Sequence, residues 1–440
     1  MGGIWSDTMG LINAFISGPH ALKPDGENPA VVRTNVGVPA VGLLNQGTIQ
    51  HVFNPELYEK EPFYFGAVGI QKDLVRGHCP SMFANDEEHR RKKALLVDVY
   101  EQCQLPTLIL NQVMSHYQEW SRLEAVPDFE DRVYHVVSEA LTEAVFGRKV
   151  DGRLCLTWLN GLLTNVKTWI PMLSMARQHR LASQALPKLF KAIEEAPKYE
   201  DLAQLCRTHD LEVEDGVFTI LYATLFNACG AVTAALVSSV ARLHTLSDTE
   251  KNDILQPTLQ ALEKNQGISG ESLGEMKTLE SFVLEVLRLH PPVFFFWALA
   301  RKDFVISPEK ENIEVRKGER VFGSCFWAQR DGSVFPDPVR FRWDRFLDEE
   351  EGGGQKKHLL FPRGSWTETS DFNNHQCPGQ DIAFFMMKAI LAVLLCYCNW
   401  ELAEAPVWSD NTIRLGRPDR PVSLTSFKFN SEQAKRVLGL

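Results

Sequence analysis

Basic clusters are scarce in this 440-residue chain of formal charge −10. None of its 46 Lys and Arg form the block that neutralises nucleic-acid phosphates, so nucleic acid is excluded and a small-molecule partner is expected. Nine scattered cysteines, an odd number, show neither zinc spacing nor a disulfide framework, which fits a reducing compartment. Cys396 and Cys398 read as packing at the end of an apolar helix. No run of about 18–20 apolar residues occurs, and the N-terminus lacks a basic-then-apolar signal and a Ser/Arg-rich import segment. The expectation is a cytoplasmic protein without a transmembrane segment, free to touch a membrane peripherally. The one lipidation signal is Met1-Gly2-Gly3-Ile4-Trp5-Ser6, which matches the short pattern for myristoylation at Gly2. No Pro/Ser/Gly-rich linker divides the chain, so residues 1–440 are expected to form one domain.

What is present is mostly helical patterning. Apolar residues recur at helical spacing over 86–100, 129–146, 154–189, 213–246 and 380–394, and β-branched runs broken by Gly, Pro and Asn fall in about 30–70, 293–345 and 400–430. The fold class expected is mainly α with small β-sheets. In the first strong helix Asn85 precedes Asp86-Glu87-Glu88, and HRRKKALLVDVYEQ places His89 and Lys93 on one face. Taken alone, that face is a solvated basic surface.

One cysteine stands apart. In His358–Phe385, Cys377 lies where a loop turns into a helix: Pro378-Gly379 follow, then Ile382, Ala383, Phe384, Met386, Met387, Ile390, Leu391 and Leu394 at helical spacing. A thiolate there gains from free backbone N–H groups and the helix dipole, which make it a strong metal ligand. Without context a free cysteine is a small hydrophobe.

The centre of the 213–246 helix reads Leu225-Phe226-Asn227-Ala228-Cys229-Gly230-Ala231-Val232, with Thr233 next. No carboxylate stands in it. An amide among apolar neighbours needs a partner to offset its desolvation, and Gly230 makes room for a ligand. Further on, Glu285 and Arg288 share a helix face stopped by Pro291-Pro292, and Phe341-Arg342-Trp343-Asp344-Arg345-Phe346 follows. Aromatic runs occur at Phe63-Tyr64-Phe65 and Phe294-Phe295-Phe296-Trp297, where core packing is the plain reading.

Taken in order, these segments resemble a cytochrome P-450. Phe361, Gly364, Cys377 and Gly379 match the haem-binding loop, and Glu285, Arg288 and Arg345 match the family's Glu-Arg-Arg cluster. The resemblance implies the haem-thiolate fold, with Cys377 as axial iron ligand and the charged cluster locking the cysteine loop. It further implies that His89 and Lys93 hydrogen-bond a haem propionate.

Two departures narrow the resemblance. Gly364 lies thirteen residues before Cys377, not four, and Asn374-His375-Gln376-Cys377-Pro378-Gly379-Gln380-Asp381 fits the N-x-Q-C-x-G-x-D of allene oxide synthases, hydroperoxide lyases and epoxyalcohol-forming relatives. Asn227 and Gly230 resemble the F-N-x-x-G of the same clan, in place of the acid-Thr pair through which a monooxygenase relays protons to bound dioxygen. The implied substrate is a polyunsaturated fatty-acid hydroperoxide, supplied by a lipoxygenase. Its O–O bond is cleaved homolytically at a thiolate-bound haem without NADPH, dioxygen or reductase, and Asn227 holds the peroxide. The resulting alkoxyl radical closes onto the adjacent double bond. Hydroxyl rebound to an epoxyalcohol is expected first, then hydrogen loss to an allene oxide, then chain scission. Phe65, Phe226, Gly230 and Phe295 are the expected pocket residues. An NADPH-dependent monooxygenase and a non-catalytic haem sensor are the competing classes.

Overall fold

A computed structural model describes residues 30–34, 40–60, 71–103, 105–162, 172–307, 312–348, 351–360, 374–408 and 416–438. Strand β1 (Val31–Thr34) pairs antiparallel with β2 (Ala40–Leu43), Val31 opposite Leu43. The β-branched GTIQHVF stretch that follows does not extend the strand. Asn45 takes the N-cap, its side chain accepting from the Thr48 N–H at 3.0 Å, and the chain turns helical over Gln46–Ile49 and Gln50–Phe53. Strand β3 (Tyr58–Glu59) comes next.

Helices α1 (Asp86–Glu101) and α2 (Leu105–Leu123), strand β4 (Ala125–Val126), and helices α3 (Phe129–Phe146), α4 (Gly152–Leu162), α5 (Met172–Glu194) and α6 (Tyr199–Thr208) lead to α7 (Val213–Thr245). After α8 (Asp248–Lys264), α9 (Gly270–Glu275) and α10 (Lys277–Leu289) come β5 (Phe295–Ala300), β6 (Phe304–Ile306), β7 (Ile313–Val315) and β8 (Arg320–Ser324). Helix α11 (Gln380–Tyr397), strands β9 (Cys398–Leu402) and β10 (Leu424–Phe429) and helix α12 (Ser431–Leu438) close the described chain.

The β segments form a five-stranded sheet in the order β1-β2-β8-β5-β3, a three-stranded sheet β4-β10-β9 and the hairpin β6-β7. The parallel β2–β8 pairing, Ala40 opposite Arg320, ties the first strands to the C-terminal half. Among the described residues, β4 lies outside the three stretches expected to hold β structure, and β9 begins two residues before the last of them.

Helix α7 is the axis of the main core and packs on α3, α10 and α11. Val232, Ala235 and Val240 of α7, Val137 and Ala140 of α3, and Met386 and Leu391 of α11 are essentially inaccessible. Contrary to the sequence reading, α7 and α11 are long and apolar enough to cross a bilayer by length and composition. They spend that character on the interior, with 72% and 61% of the qualifying windows buried inside the protein.

Candidate active site

Helix α7 changes register at its middle. Val213–Tyr222 and Cys229–Thr245 are α-helical, but Ala223–Ala228 is a π turn in which the Cys229 N–H reaches back five residues to the Thr224 carbonyl. Such single turns are rare and concentrate at functional positions. Asn227 lies in it. Whereas most of α7 is buried, Phe226, Asn227, Ala228, Gly230 and Ala231 are only partly covered, and a Cβ on Gly230 would meet no atom within 4 Å. The turn opens onto room. Phe226 stacks on Tyr222 at 4.6 Å between ring centroids. The Thr233 hydroxyl is buried with no hydrogen-bond partner among the described residues, and no carboxylate stands in the residues from Phe226 to Val232 before it.

Cys377 precedes α11 by three residues. Gly379 is the N-cap, so Pro378 and Gly379 stand before the helix and do not form its first turn, and the Gln380 N–H donates to the Cys377 carbonyl at 3.4 Å. Four cysteines are half-buried, namely 103, 377, 396 and 398. Burial pushes the Cys103 thiol up to about 11, Cys396 up to about 12 and Cys398 well above its ordinary value, which keeps those three protonated and poor as ligands.

Among the described residues no group of three or more His, Cys, Asp and Glu could cage a metal ion. A single half-buried cysteine beside a helix start, on a helix whose Ile382 and Phe385 are only partly covered, suits an iron whose other ligands come from a porphyrin. The residues present therefore fit haem.

The basic face of α1 is not solvated. Lys93, 1% exposed, donates to the Asn374 carbonyl at 2.6 Å and to its side-chain oxygen at 2.7 Å, and that oxygen also accepts the Gln376 N–H at 3.1 Å. His89 sets Nδ1 at 2.8 Å from the Ser81 carbonyl and Nε2 at 3.3 Å from the Asn374 carbonyl, with its ring 4.3 Å from that of His375. The pair expected to meet a propionate thus grips the loop three residues before Cys377. The neighbouring cations are also paired: Arg90 with Glu87, Arg91 with Asp210, and Lys92 with Glu88 and Asp215. Asn85 holds the N-cap position as expected, but its side-chain oxygen accepts the Lys60 N–H at 3.0 Å and makes no bond to the first turn.

Burial lowers the His89 pKa from 6.5 to about 4, outweighing the two carbonyls that favour its proton. The unfolded chain therefore takes up a proton below pH 6.5 that the folded chain refuses until about pH 4. Stability should fall as pH drops through that window, by up to about 3 kcal/mol. Urea midpoints measured between about pH 7 and about pH 4.5 check this, and His89→Gln should flatten the slope.

Tyr100 connects the two halves of the site. Its ring carbons stand 3.4 Å from where a Gly379 Cβ would be, and its hydroxyl faces the Thr224 side chain in the π turn. Burial, with Cys377 nearby, pushes its phenol upward, so it stays neutral.

The charged cluster is fully buried. Arg288 binds Glu285 through Nε at 2.7 Å and Nη2 at 2.8 Å, and Arg345 Nε reaches the same carboxylate at 3.0 Å. Their remaining donors go to main-chain carbonyls of Gln329, Pro336 and Pro338. These bonds lock the 329–346 segment onto α10; residues 361–373 of the cysteine loop lie outside the described residues. Contact with α11 comes through Phe384, packed against the cluster of Leu284, Phe335, Phe346 and Leu359.

Phe295 is half-buried and packs with Trp297 and Trp327 against Val32, Ala40, Leu44 and Phe322 of the five-stranded sheet, a cluster separate from that holding Phe226. Phe65, Phe361 and Gly364 lie outside the described residues. Sequence reasoning missed the π turn and the hold of Lys93 on Asn374. Nothing in the residue pattern separates a π turn from α-helix, although Asn374 stood in the quoted motif.

With this geometry in hand, comparison with known proteins is informative. The family model for cytochrome P-450 matches residues 225–425. A solved structure of a cytochrome P-450 SP alpha mutant covers 91% of this chain and 93% of its own, with a TM-score of 0.66 at 15% identity, a likeness of fold. The chain has the cytochrome P-450 fold, and its residues 225–425 match the family's sequence model.

Its sequence relatives within that class are narrower in kind. A divinyl ether synthase of Selaginella moellendorffii is 30% identical over 227 residues, covering 47% of this chain and 46% of the relative. An allene oxide synthase of Solanum lycopersicum is 29% identical over 193 residues (43% and 36%), and a linolenate hydroperoxide lyase of Arabidopsis thaliana 30% identical over 181 (41% and 37%). The matches span less than half the length of these relatives, two of which are chloroplastic by name. The clan read from the cysteine loop and from Asn227 is the one these names describe.

Proposed function

We propose that the protein is a haem-thiolate enzyme converting polyunsaturated fatty-acid hydroperoxides to epoxyalcohols, without dioxygen, NADPH or a reductase. One observation carries this reading: Asn227, a neutral amide, stands in a π turn beside open space, on a helix whose Phe226–Thr233 stretch holds no carboxylate. A substrate that brings its oxygen already reduced needs orientation, not proton delivery.

Cys377 would hold the iron, and His89 and Lys93, at the edge of its loop, are the candidates for a propionate. When bound, haem under thiolate donation supplies one-electron cleavage of a peroxide O–O bond. Asn227 donates an amide N–H to a peroxide oxygen and does not titrate. The bare Cα of Gly230 admits the substrate chain beside it. Phe226 offers a π face, which favours a delocalised carbon radical over scission; Phe65 and Phe295 stay candidates for the same role.

A lipoxygenase is the expected source of substrate. The cytoplasmic, peripherally membrane-associated placement belongs to the same proposal, and fractionation tests it.

Cys377→Ala should lose the thiolate-type Soret band, and retention of that band while another cysteine variant lost it would reassign the ligand. Mass spectrometry of the products from a linoleate hydroperoxide tests the reaction. Epoxyalcohols support the reading, whereas an allene oxide, a divinyl ether or short-chain aldehydes would move the protein to a sister activity.

A further inference from the structure

We infer that Tyr134 is a positioning residue for Asn227, acting through the π turn; this rests on the reading of Asn227 as the residue that holds the peroxide. Helix α3 lies along α7, and Tyr134, 2% exposed, donates its hydroxyl to the Leu225 carbonyl at 3.0 Å. Leu225 belongs to the π turn, two residues before Asn227.

A π turn has poorer hydrogen-bond geometry than the α-helix on either side, so contacts from outside must favour it. Two buried phenols supply them. Tyr100 comes from α1 and faces Thr224, whose own hydroxyl donates to the Ile220 carbonyl at 2.8 Å. Tyr134 comes from α3 and gives its one proton to a main-chain oxygen inside the turn. Burial raises its phenol well above the ordinary value, which keeps that proton in place.

The consequence for Asn227 is geometric. Relaxing the turn toward α register would rotate the following side chains about the helix axis, by about 100° for a full one-residue shift. A fraction of that would carry the amide away from the open space beside Gly230. The aim of Asn227 is therefore set by a residue about ninety positions earlier in the chain, on a different helix.

Tyr134→Phe removes one oxygen and keeps the ring, and Tyr117→Phe serves as the control. Tyr117 is equally buried, and its hydroxyl donates to the Ile390 carbonyl at 3.4 Å, outside the π turn. In the holoenzyme Tyr134→Phe should lower kcat for a linoleate hydroperoxide about 10–100-fold with KM nearly unchanged, and shift the product ratio. Amides 224–230 should exchange faster in this variant, with or without haem, and unchanged in Tyr117→Phe. In the parent those amides should be as protected as the rest of α7, a measurement that stands even if the variant does not accumulate.

The inference is overturned if Tyr134→Phe keeps parental kcat and products and merely melts lower, as Tyr117→Phe should, or if the parental turn exchanges freely. If Asn227→Ala is itself fully active, the reading beneath has failed. If Asn227→Ala is inactive and Tyr134→Phe is not, only the role of Tyr134 has failed. Tyr134→Phe should cost nothing more in an Asn227→Ala background.

Discussion

Asn227→Ala should retain haem and the fold but lose about 10²–10³-fold in turnover of a fatty-acid hydroperoxide. The magnitude follows from what an uncharged donor contributes in a water-poor site, about 2–4 kcal/mol when it is held in advance where charge or spin develops. Asn227 sits in a backbone turn that departs from ordinary helix, between buried Leu225 and Cys229 and three residues before Gly230, beside which there is space. The fold should not suffer, because the side chain is only partly covered and its removal opens no closed cavity. Asn227→Gln keeps the amide and displaces it by one methylene, so it should fall between parent and Ala or change the product ratio. Steady-state kinetics with product analysis decides. Parental rate and products in Asn227→Ala would reduce Asn227 to helix packing.

Glu285→Ala should damage the fold itself. Its carboxylate is the shared partner of two guanidiniums, those of Arg288 and Arg345, and all three side chains are inaccessible to solvent. Removing one member of a buried ionic group strands the others, at a cost of about 3–5 kcal/mol, a large part of the roughly 5–15 kcal/mol by which a native domain exceeds its unfolded state. Here two positive charges would be stranded, and the Arg342 N–H, which donates to Glu285 at 3.0 Å, would lose its acceptor as well. The 329–346 segment should then loosen from α10, lowering the melting temperature by about 5–10 °C and haem content with it. Glu285→Gln retains the shape without the charge and should lie near Ala. A melting temperature unchanged in Glu285→Ala would show that the cluster contributes specificity only. Arg345→Lys should cost less, since a point charge still reaches the carboxylate but the fork to the Pro336 and Asp337 carbonyls is lost.

The parts of the site legible in the sequence are those whose chemistry is carried by residue type and spacing. Glu285 and Arg288 share a face because they are three apart in a helix, and the charge of both requires a partner when buried. Cys377 is legible because a turn pair and an apolar helix follow it. What spacing could not supply is the identity of partners far along the chain. The i, i+4 relation of His89 and Lys93 shows that they share a face, but Asn374 lies more than 280 residues away, and only folding shows that it meets them.

Backbone register was illegible for a similar reason. A π turn and an α turn accept the same apolar sequence, and the choice over Ala223–Ala228 is coupled to neighbours such as Tyr134 on α3. At 46–53 the β-branched residues favour a strand, and a single capping amide, Asn45, turns the chain to helix instead. Local propensity lost to local hydrogen bonding there, as it commonly does for Asn.

The most direct test of the account is consumption of a linoleate hydroperoxide by the purified holoenzyme under argon, with neither NADPH nor a reductase present. The account predicts full turnover, with the hydroperoxide's own oxygens retained in an epoxyalcohol. No turnover until NADPH, reductase and dioxygen are all supplied would contradict it and return the protein to the monooxygenases.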